Sequence, residues 1–373
     1  MQAGLLHTYR LPASHRSWVA WTLSAVLVAA YLLLYFGPIP ALGLRFDLLQ
    51  AAAEAIGGAL GLPPALRSKW LLYGTVYTLA MVAGGVYFLR RHGNTRYQRV
   101  RTLSVVSAQV LFAFALPIVL QVFGRHEYYF SYFWPLKIEY FYPSVILQQP
   151  FLIVAWSFLG SLVAFPLLAF FLGKRFYCSW VCGCGGLANT AGEPFRHLSQ
   201  KSARAWSVEK VSIHTVLFLS LLTTAIVWVN WAAGKQHPAF SAFAFRVQDW
   251  YGFAIGAMFS GVIGVGLYPL MGTRVWCRFG CPMAALLGLV QKLGRFRITV
   301  KKDMCIACGT CSTYCEMGID VRQYAMANQT FTRAACVGCG ICAHVCPRGV
   351  LKLEAKPRRS PAGQRIRVDA VDL

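Results

Sequence analysis

Cys305-Ile306-Ala307-Cys308-Gly309-Thr310-Cys311-Ser312-Thr313-Tyr314-Cys315 is followed, after a short gap, by Cys336-Val337-Gly338-Cys339-Gly340-Ile341-Cys342-Ala343-His344-Val345-Cys346-Pro347. Both runs read C-x2-C-x2-C-x3-C, and together they hold eight of the thirteen cysteines. A cubane iron–sulfur cluster needs thiolates converging on its irons: a tight loop of three cysteines wraps three corners, and the fourth comes from a turn beyond. With two such runs the fourth cysteine ordinarily serves the other cluster. The expected sets for two [4Fe-4S] clusters are therefore Cys305, Cys308, Cys311 and Cys346 for the first, and Cys336, Cys339, Cys342 and Cys315 for the second. Zinc knuckles and disulfides fit less well, since zinc sites pair C-x2-C arms across a longer gap. The spacing implies an electron carrier in a small α+β ferredoxin-like domain at residues 297–356, with a flexible basic tail at 357–373.

The rest of the chain is built for lipid. It is 57% hydrophobic and 13% charged, against about 25% charged in soluble domains. Six apolar runs reach the roughly 20 residues that cross a bilayer: Trp18–Phe36, Trp70–Leu89, Leu103–Phe123, Phe151–Leu172, Ser212–Trp231 and Gly252–Met271. None contains Asp, Glu, Lys or Arg. The first exceeds a signal-peptide apolar core and is expected to be retained. The fold class expected is an all-α polytopic membrane bundle of six transmembrane helices at 18–296, after a cytoplasmic N-terminus at 1–17.

Orientation follows from the basic loops. Residues 90–101 carry Arg90, Arg91, Arg96, Arg99 and Arg101, and residues 173–211 carry Lys174, Arg175, Arg196, Lys201, Arg204 and Lys210. The alternate loops, 124–150 and 232–251, carry two basic residues each. Positive-inside bias places the basic loops, both termini and the cysteine runs in the cytoplasm. Arg67 and Lys69 dissent mildly. The net charge of +23 is largely this topology, and no nucleic-acid motif accompanies it. An acidic cytoplasmic electron carrier would be drawn to such a surface.

The other five cysteines expose an internal repeat. Gly173-Lys174-Arg175-Phe176-Tyr177-Cys178-Ser179-Trp180-Val181-Cys182-Gly183-Cys184 matches Gly272-Thr273-Arg274-Val275-Trp276-Cys277-Arg278-Phe279-Gly280-Cys281-Pro282 at an offset of 99. Each half of the bundle thus ends in a C-x3-C pair. Cys178, Cys182, Cys277 and Cys281 are expected to form a third metal centre at the membrane surface, with Cys184 as an alternate ligand. Reduced structural thiols are the plainer reading, and a soft metal such as Cu(I) is another.

These motifs resemble the NosR/NapH/CcoG group of membrane ferredoxin-like proteins, over roughly residues 150–350. The resemblance implies a bacterial inner-membrane electron-transfer protein serving a respiratory or maturation system. It also implies quinone as a cofactor and quinol-, flavin- or cytochrome-bearing subunits as partners in a hetero-oligomer. NapH-type quinol dehydrogenase subunits are the nearest in layout, with two further N-terminal spans here. Gly183-Cys184 stands where the group has a proline after C-x3-C. With 17 residues ahead of the first span and nothing globular after the cysteine runs, neither the flavin domain of NosR-type members nor the added C-terminal domain of the CcoG branch is expected.

Histidines give weaker signals. Only His214 lies in a span, so intrinsic haem is not expected. His197 and His214 read as interfacial residues or part of a quinone head-group site. The aromatic segment from His126 and Glu127 to Trp134 reads as an interfacial belt, or as a lid over a quinone with His126 and Glu127 taking its protons. Leu42–Leu62 reads as an amphipathic helix on the outer surface. Spans without carboxylates argue against ion pumping. Two functions compete: an electron conduit between the cytoplasmic-side clusters and the quinone pool or a membrane or periplasmic partner, or a maturation factor that reduces a metal or cofactor for another enzyme.

Overall fold

The computed structural model describes residues 18–37, 47–124, 128–234 and 236–355. His126, Glu127, the N-terminus and the basic tail lie outside the described residues. Within them, five helices are long and apolar enough to cross a membrane: Trp18–Phe36, Lys69–His92, Arg96–Val122, Phe151–Leu172 and Ala203–Ala232. At 1.5 Å per residue, the 24-residue Lys69–His92 helix is about 36 Å long, enough to span and project. Ser68 and Ser202 start two of these helices by accepting from Leu71 N and Ala205 N. Asp47 does the same for a surface helix, Leu48–Ala59, which is shorter than the 42–62 segment expected.

The expected sixth span is not a single helix. A helix begins at Pro238, continues as a π-helix over Gly252–Ile263, and is broken by a turn at 264–267 before the short Tyr268–Met271 helix. Its first half also carries Arg246 and Asp249, so charge and the break together remove it from the set of apolar crossing helices. Two further π-helical stretches, Gln109–Ala115 and Gly160–Ala164, interrupt the third and fourth crossing helices. Such stretches concentrate at functional sites.

The segment between the third and fourth helices is not an interfacial belt. Tyr128, Phe133, Ile138, Phe141, Tyr142 and Ile146 are buried. Trp134 Nε1 donates to Thr224 Oγ1 (3.0 Å), and Trp228 Nε1 donates to Phe141 O (3.0 Å). This segment therefore packs between helices. Non-helical backbone is tolerated among membrane helices only where protein covers it, and the aromatic side chains supply that cover.

The cysteine-rich domain closes with two antiparallel strands, β1 (Phe296–Val300) and β2 (Leu351–Ala355), paired from Phe296↔Ala355 to Val300↔Leu351. The Pro282–Leu293 helix leads into β1. A backbone pseudo-repeat with an offset of 31 runs through the domain: Ala307 and Gly338 (φ 56° and 59°), Gly309 and Gly340 (78° and 76°), and Gly318 and Gly349 (66° and 57°) all adopt left-handed conformations. Gly309 and Gly340 each precede a one-turn helix, Thr310–Thr313 and Ile341–His344.

Candidate functional site

The two halves of the 99-residue repeat are built alike. The fourth crossing helix and the Tyr268–Met271 helix end at Gly173 (φ 82°, ψ 163°) and Gly272 (φ 88°, ψ 172°). No L side chain is comfortable there, and a Cβ would strike Phe296 from Gly173 or Ser199 from Gly272. A single helical turn then carries the first cysteine, in Arg175–Cys178 and Val275–Phe279. The second cysteine is the N-cap of a new helix, Cys182 for Gly183–Asn189 and Cys281 for Pro282–Leu293.

Both cysteine segments turn back into the bundle. The Tyr177 ring packs against Phe165 (4.8 Å between centroids) and Phe133 (6.0 Å), and its hydroxyl donates to Ser131 O (2.9 Å). Phe165 lies seven residues before the helix end, about 10 Å at 1.5 Å per residue. In the other half Trp276 packs against Phe259 (5.7 Å). Cys178, Cys182, Cys277 and Cys281 are consequently buried in one core cluster, with the half-buried Cys184 packed against it. These five thiols lie within mutual electrostatic reach. The structure buries the thiols of the expected third centre in the protein interior.

The eight remaining cysteines divide between two cavities. Cys305, Cys308, Cys311 and Cys346 line one, with Arg322 and Pro347. Cys315, Cys336, Cys339 and Cys342 line the other, with Ile298, Phe331 and Val337. Each cavity thus takes three cysteines from one run and the fourth from the other. Burial pushes the free Cys311 and Cys336 thiols up to about 12, so thiolate forms there only with a compensating cation. Bound iron supplies that charge, because metal ligation deprotonates thiols. Among the described residues no group of three or more His, Cys, Asp or Glu is set to hold a single ion. A cubane spreads its thiolates over separate irons, so the sulfurs need not meet at one point, and the donor chemistry fits clusters better than a mononuclear site.

The two cavities are not equivalent. Cys308 is exposed, so the first cavity faces outward. The second is clamped to the membrane domain: Tyr97 OH donates to Gly338 O (2.6 Å), Gln98 Nε2 to Cys339 O (3.0 Å) and Ser179 Oγ to Val337 O (2.7 Å). Gln291 Nε2 donates to both Arg333 O and Cys336 O (3.0 Å each). The ferredoxin domain is therefore docked, not suspended from a connector.

A buried ionic chain runs along the same junction. His92 meets Glu193 (2.8 Å), Glu193 meets Arg196 (2.6 Å), and Glu316 receives both Arg196 (3.1 Å) and Arg274 (2.9 Å). The two guanidinium groups outweigh desolvation and hold the Glu316 carboxyl down at about 2. Arg278 pairs with Glu209 beside them. Arg196 enters the sequence reading only as a loop charge, and Arg274 and Arg278 only as repeat positions; His92, Glu193, Glu209 and Glu316 are not singled out.

A 4Fe-4S dicluster domain model matches residues 304–351, and a 4Fe-4S binding domain model matches at 154–202 and again at 252–301. Among curated proteins, the chain is 27% identical to the putative electron transport protein YccM of Escherichia coli, over 43% of this chain and 46% of that protein. It is 28% identical to the methylamine utilization ferredoxin-type protein MauN of Methylobacillus flagellatus, over 45% and 61%. It is 25% identical to the regulatory protein NosR of Pseudomonas aeruginosa, over 47% and 24%. The chain is similar, over less than half of its length, to NosR/NapH-like membrane ferredoxin-type proteins. The matched part spans about half of the length of YccM and three-fifths of MauN. No solved structure matches it. Both halves of the 99-residue repeat fall inside the 4Fe-4S binding domain matches.

Of the residues nominated for quinone, His214 sits on the fifth crossing helix with Nδ1 2.6 Å from Lys210 O, lining a small cleft with Cys277 and Arg278. His197 lies in the 3₁₀ turn Glu193–Leu198. Neither lines the large apolar cavity between the first and second crossing helices.

Proposed function

We propose that this protein is an inner-membrane electron conduit joining cytoplasmic-side [4Fe-4S] clusters to the quinone pool or a membrane-bound redox partner. Cys305, Cys308, Cys311 and Cys346 would hold an outward-facing cluster, and Cys315, Cys336, Cys339 and Cys342 a second one against the membrane domain. Cys178, Cys182, Cys277 and Cys281 would hold a third centre inside the bundle, with Cys184 beside it. Bound cubanes supply reversible one-electron transfer at potentials set by their surroundings.

The observation that carries this reading is the order of the three thiol groups. Exposed Cys308 marks one end, the clamped Cys336–Cys339 loop the middle, and the buried C-x3-C pairs the inner end. Tyr97, Gln98, Ser179 and Gln291 fix the middle group by hydrogen bonds to its backbone, so its distance from Cys178 and Cys277 is set by the fold. Arg274 bridges the last interval, donating to Glu316 while its other nitrogen lies 3.5 Å from Cys277 Sγ. The apolar aromatic packing around Tyr177 and Trp276 keeps water from the inner group. In the proposed topology the interrupted segment 252–271 makes the sixth crossing, and both termini face the cytoplasm.

The test uses the full chain in lipid nanodiscs under anaerobic conditions. Short-tail quinol is added and the ferredoxin clusters are followed by EPR. Cys277→Ser together with Cys281→Ser should leave the two ferredoxin signals in place and slow their reduction at least tenfold. Unchanged reduction would remove the inner group from the path.

A further inference from the structure

A large apolar cavity among the described residues is lined by none of the residues nominated from sequence. It measures about 470 Å³ and lies between the first helix and the Lys69–His92 helix, floored by the Leu187–Phe195 stretch and Tyr268. Small-molecule sites commonly occupy 300–1,000 Å³ and combine apolar walls with a few placed polar groups. This one fits that description. Its walls are chiefly apolar, and Ala30 and Val76, which line it, are exposed, so it opens sideways from the bundle onto the apolar flank. Along the second helix it runs from Lys69 to Ala80, about 16 Å at 1.5 Å per residue.

Lys69 stands at one end of it, paired with Asp47 at 2.6 Å, and the other polar groups in and beside it are phenols and an amide. The Tyr31 and Tyr73 hydroxyls meet at 3.1 Å. The Tyr77 ring lines the cavity, and its buried hydroxyl has no partner. That hydroxyl, Gln109 Oε1 and the Tyr132 hydroxyl all crowd Gly183, where an added Cβ would stand 2.6, 2.6 and 2.8 Å from them. Gln109 Oε1 is likewise buried without a partner, and Gln109 opens the first π-helical stretch. A buried donor or acceptor left unpaired bears its full desolvation penalty. One of these two belongs to a residue that lines the cavity and the other crowds the same glycine, between Cys182 and Cys184, and together they point to a ligand oxygen reaching Tyr77. Cys184 is within electrostatic reach of Tyr31, Tyr73, Tyr77 and Tyr268.

We infer that this cavity is the binding site for an isoprenoid quinone or quinol entering from the lipid. Its ring lies among Tyr73, Tyr77 and Tyr268 near Cys184, an oxygen pairs with Tyr77, and its tail leaves past Ala30 and Val76. A phospholipid acyl chain shares the apolar requirement but has no use for a donor and an acceptor at the inner end. A flat ring carrying two oxygens uses both, since a quinone carbonyl accepts from Tyr77 and a quinol hydroxyl can donate to Gln109. Glycine at 183 leaves these polar atoms room that any side chain would fill. The inference rests on the electron-conduit reading and gives it an entry point.

Binding of a two-isoprene benzoquinone and naphthoquinone to the full chain in phosphatidylcholine nanodiscs, measured by quenching of intrinsic fluorescence, tests it. Wild type should bind saturably. Ala80→Trp, which fills the cavity, should weaken binding at least tenfold. Tyr77→Phe, which removes one hydroxyl and no volume, should weaken it about fivefold, as expected for the loss of one hydrogen bond. Iron content and thermal midpoint report that each variant is folded. Wild-type affinity in both folded variants would place the quinone elsewhere while leaving the conduit reading intact. Loss of co-purified phospholipid from Ala80→Trp with unchanged quinone affinity would make the cavity a lipid site and overturn the inference. No quinone binding by wild type would overturn the inference and restrict the conduit to a membrane-bound redox partner.

Discussion

Arg274 pairs with Glu316 at 2.9 Å while its other terminal nitrogen lies 3.5 Å from Cys277 Sγ. One side chain thereby touches the inner cysteine group and the residue next to Cys315, a cysteine of the docked cavity. Arginine suits this place because its planar fork serves two acceptors and stays charged when buried.

Removing the shared carboxylate should be costly. Glu316→Gln leaves Arg196 and Arg274 buried without their common counter-charge, which by analogy with broken buried pairs costs about 3–5 kcal/mol. The pH dependence has a definite sign. The Glu316 carboxyl is depressed to about 2 in the fold, so its contribution is complete above the ordinary carboxylate range near 4.5 and declines as pH falls toward 2. Thermal midpoints should therefore drop for wild type between pH 5 and 3. Glu316→Gln should already be lower at pH 7 and fall less steeply across that window.

Cluster-specific EPR on Cys315→Ala and Cys346→Ala examines the crossing. Cys315→Ala should damage the cluster of Cys336, Cys339 and Cys342, and Cys346→Ala that of Cys305, Cys308 and Cys311. Damage confined to the cluster of the same run would refute the shared arrangement.

The 31-residue pseudo-repeat is asymmetric at one pair. Ala307 occupies a left-handed position that Gly338 fills in the other copy, and such a conformation costs an L-residue about 1–2 kcal/mol. Ala307→Gly should be neutral to mildly stabilising, within about 1 kcal/mol, once the added chain entropy of glycine is counted. Gly338→Ala should destabilise by about 1–3 kcal/mol, since it adds the same strain and sets a Cβ 2.7 Å from Arg175 Cβ. The rate of cluster bleaching in guanidinium compares the two.

Much of this was legible from residues. The cysteine spacing gave the iron–sulfur reading, and apolar length gave the crossing helices that the structure contains. The offset of 99 located two segments whose backbones match down to Gly173 and Gly272. What escaped was set by long-range packing. Tyr177 and Trp276 read as residues at helix ends, yet rings on other helices draw them inward and the cysteines follow. The aromatic run near Tyr128–Trp134 looked interfacial because composition cannot distinguish a ring facing lipid from one facing Phe165. Glu316 carries no local signal, because its partners Arg196 and Arg274 lie far away in sequence. The cavity beside Tyr77 joins residues 27 to 268, and no local pattern marks it.

Topology is tested by fusions. A reporter after Gly93 or Arg204 should read cytoplasmic, and one at His237 periplasmic. A cytoplasmic reading at His237 would mean that the fifth crossing helix does not traverse, and the proposed sidedness would fail with it.

The account stands most directly on whether the four buried cysteines of the two repeat halves hold a redox centre. Iron and acid-labile sulfide per chain, with EPR, should be measured on wild type and on Cys178→Ser combined with Cys277→Ser. The expected result is iron beyond what two cubanes require in wild type, and loss of that excess in the variant with both ferredoxin signals retained. Equal iron and identical spectra in the two proteins would show the pairs to be structural thiols and contradict the relay.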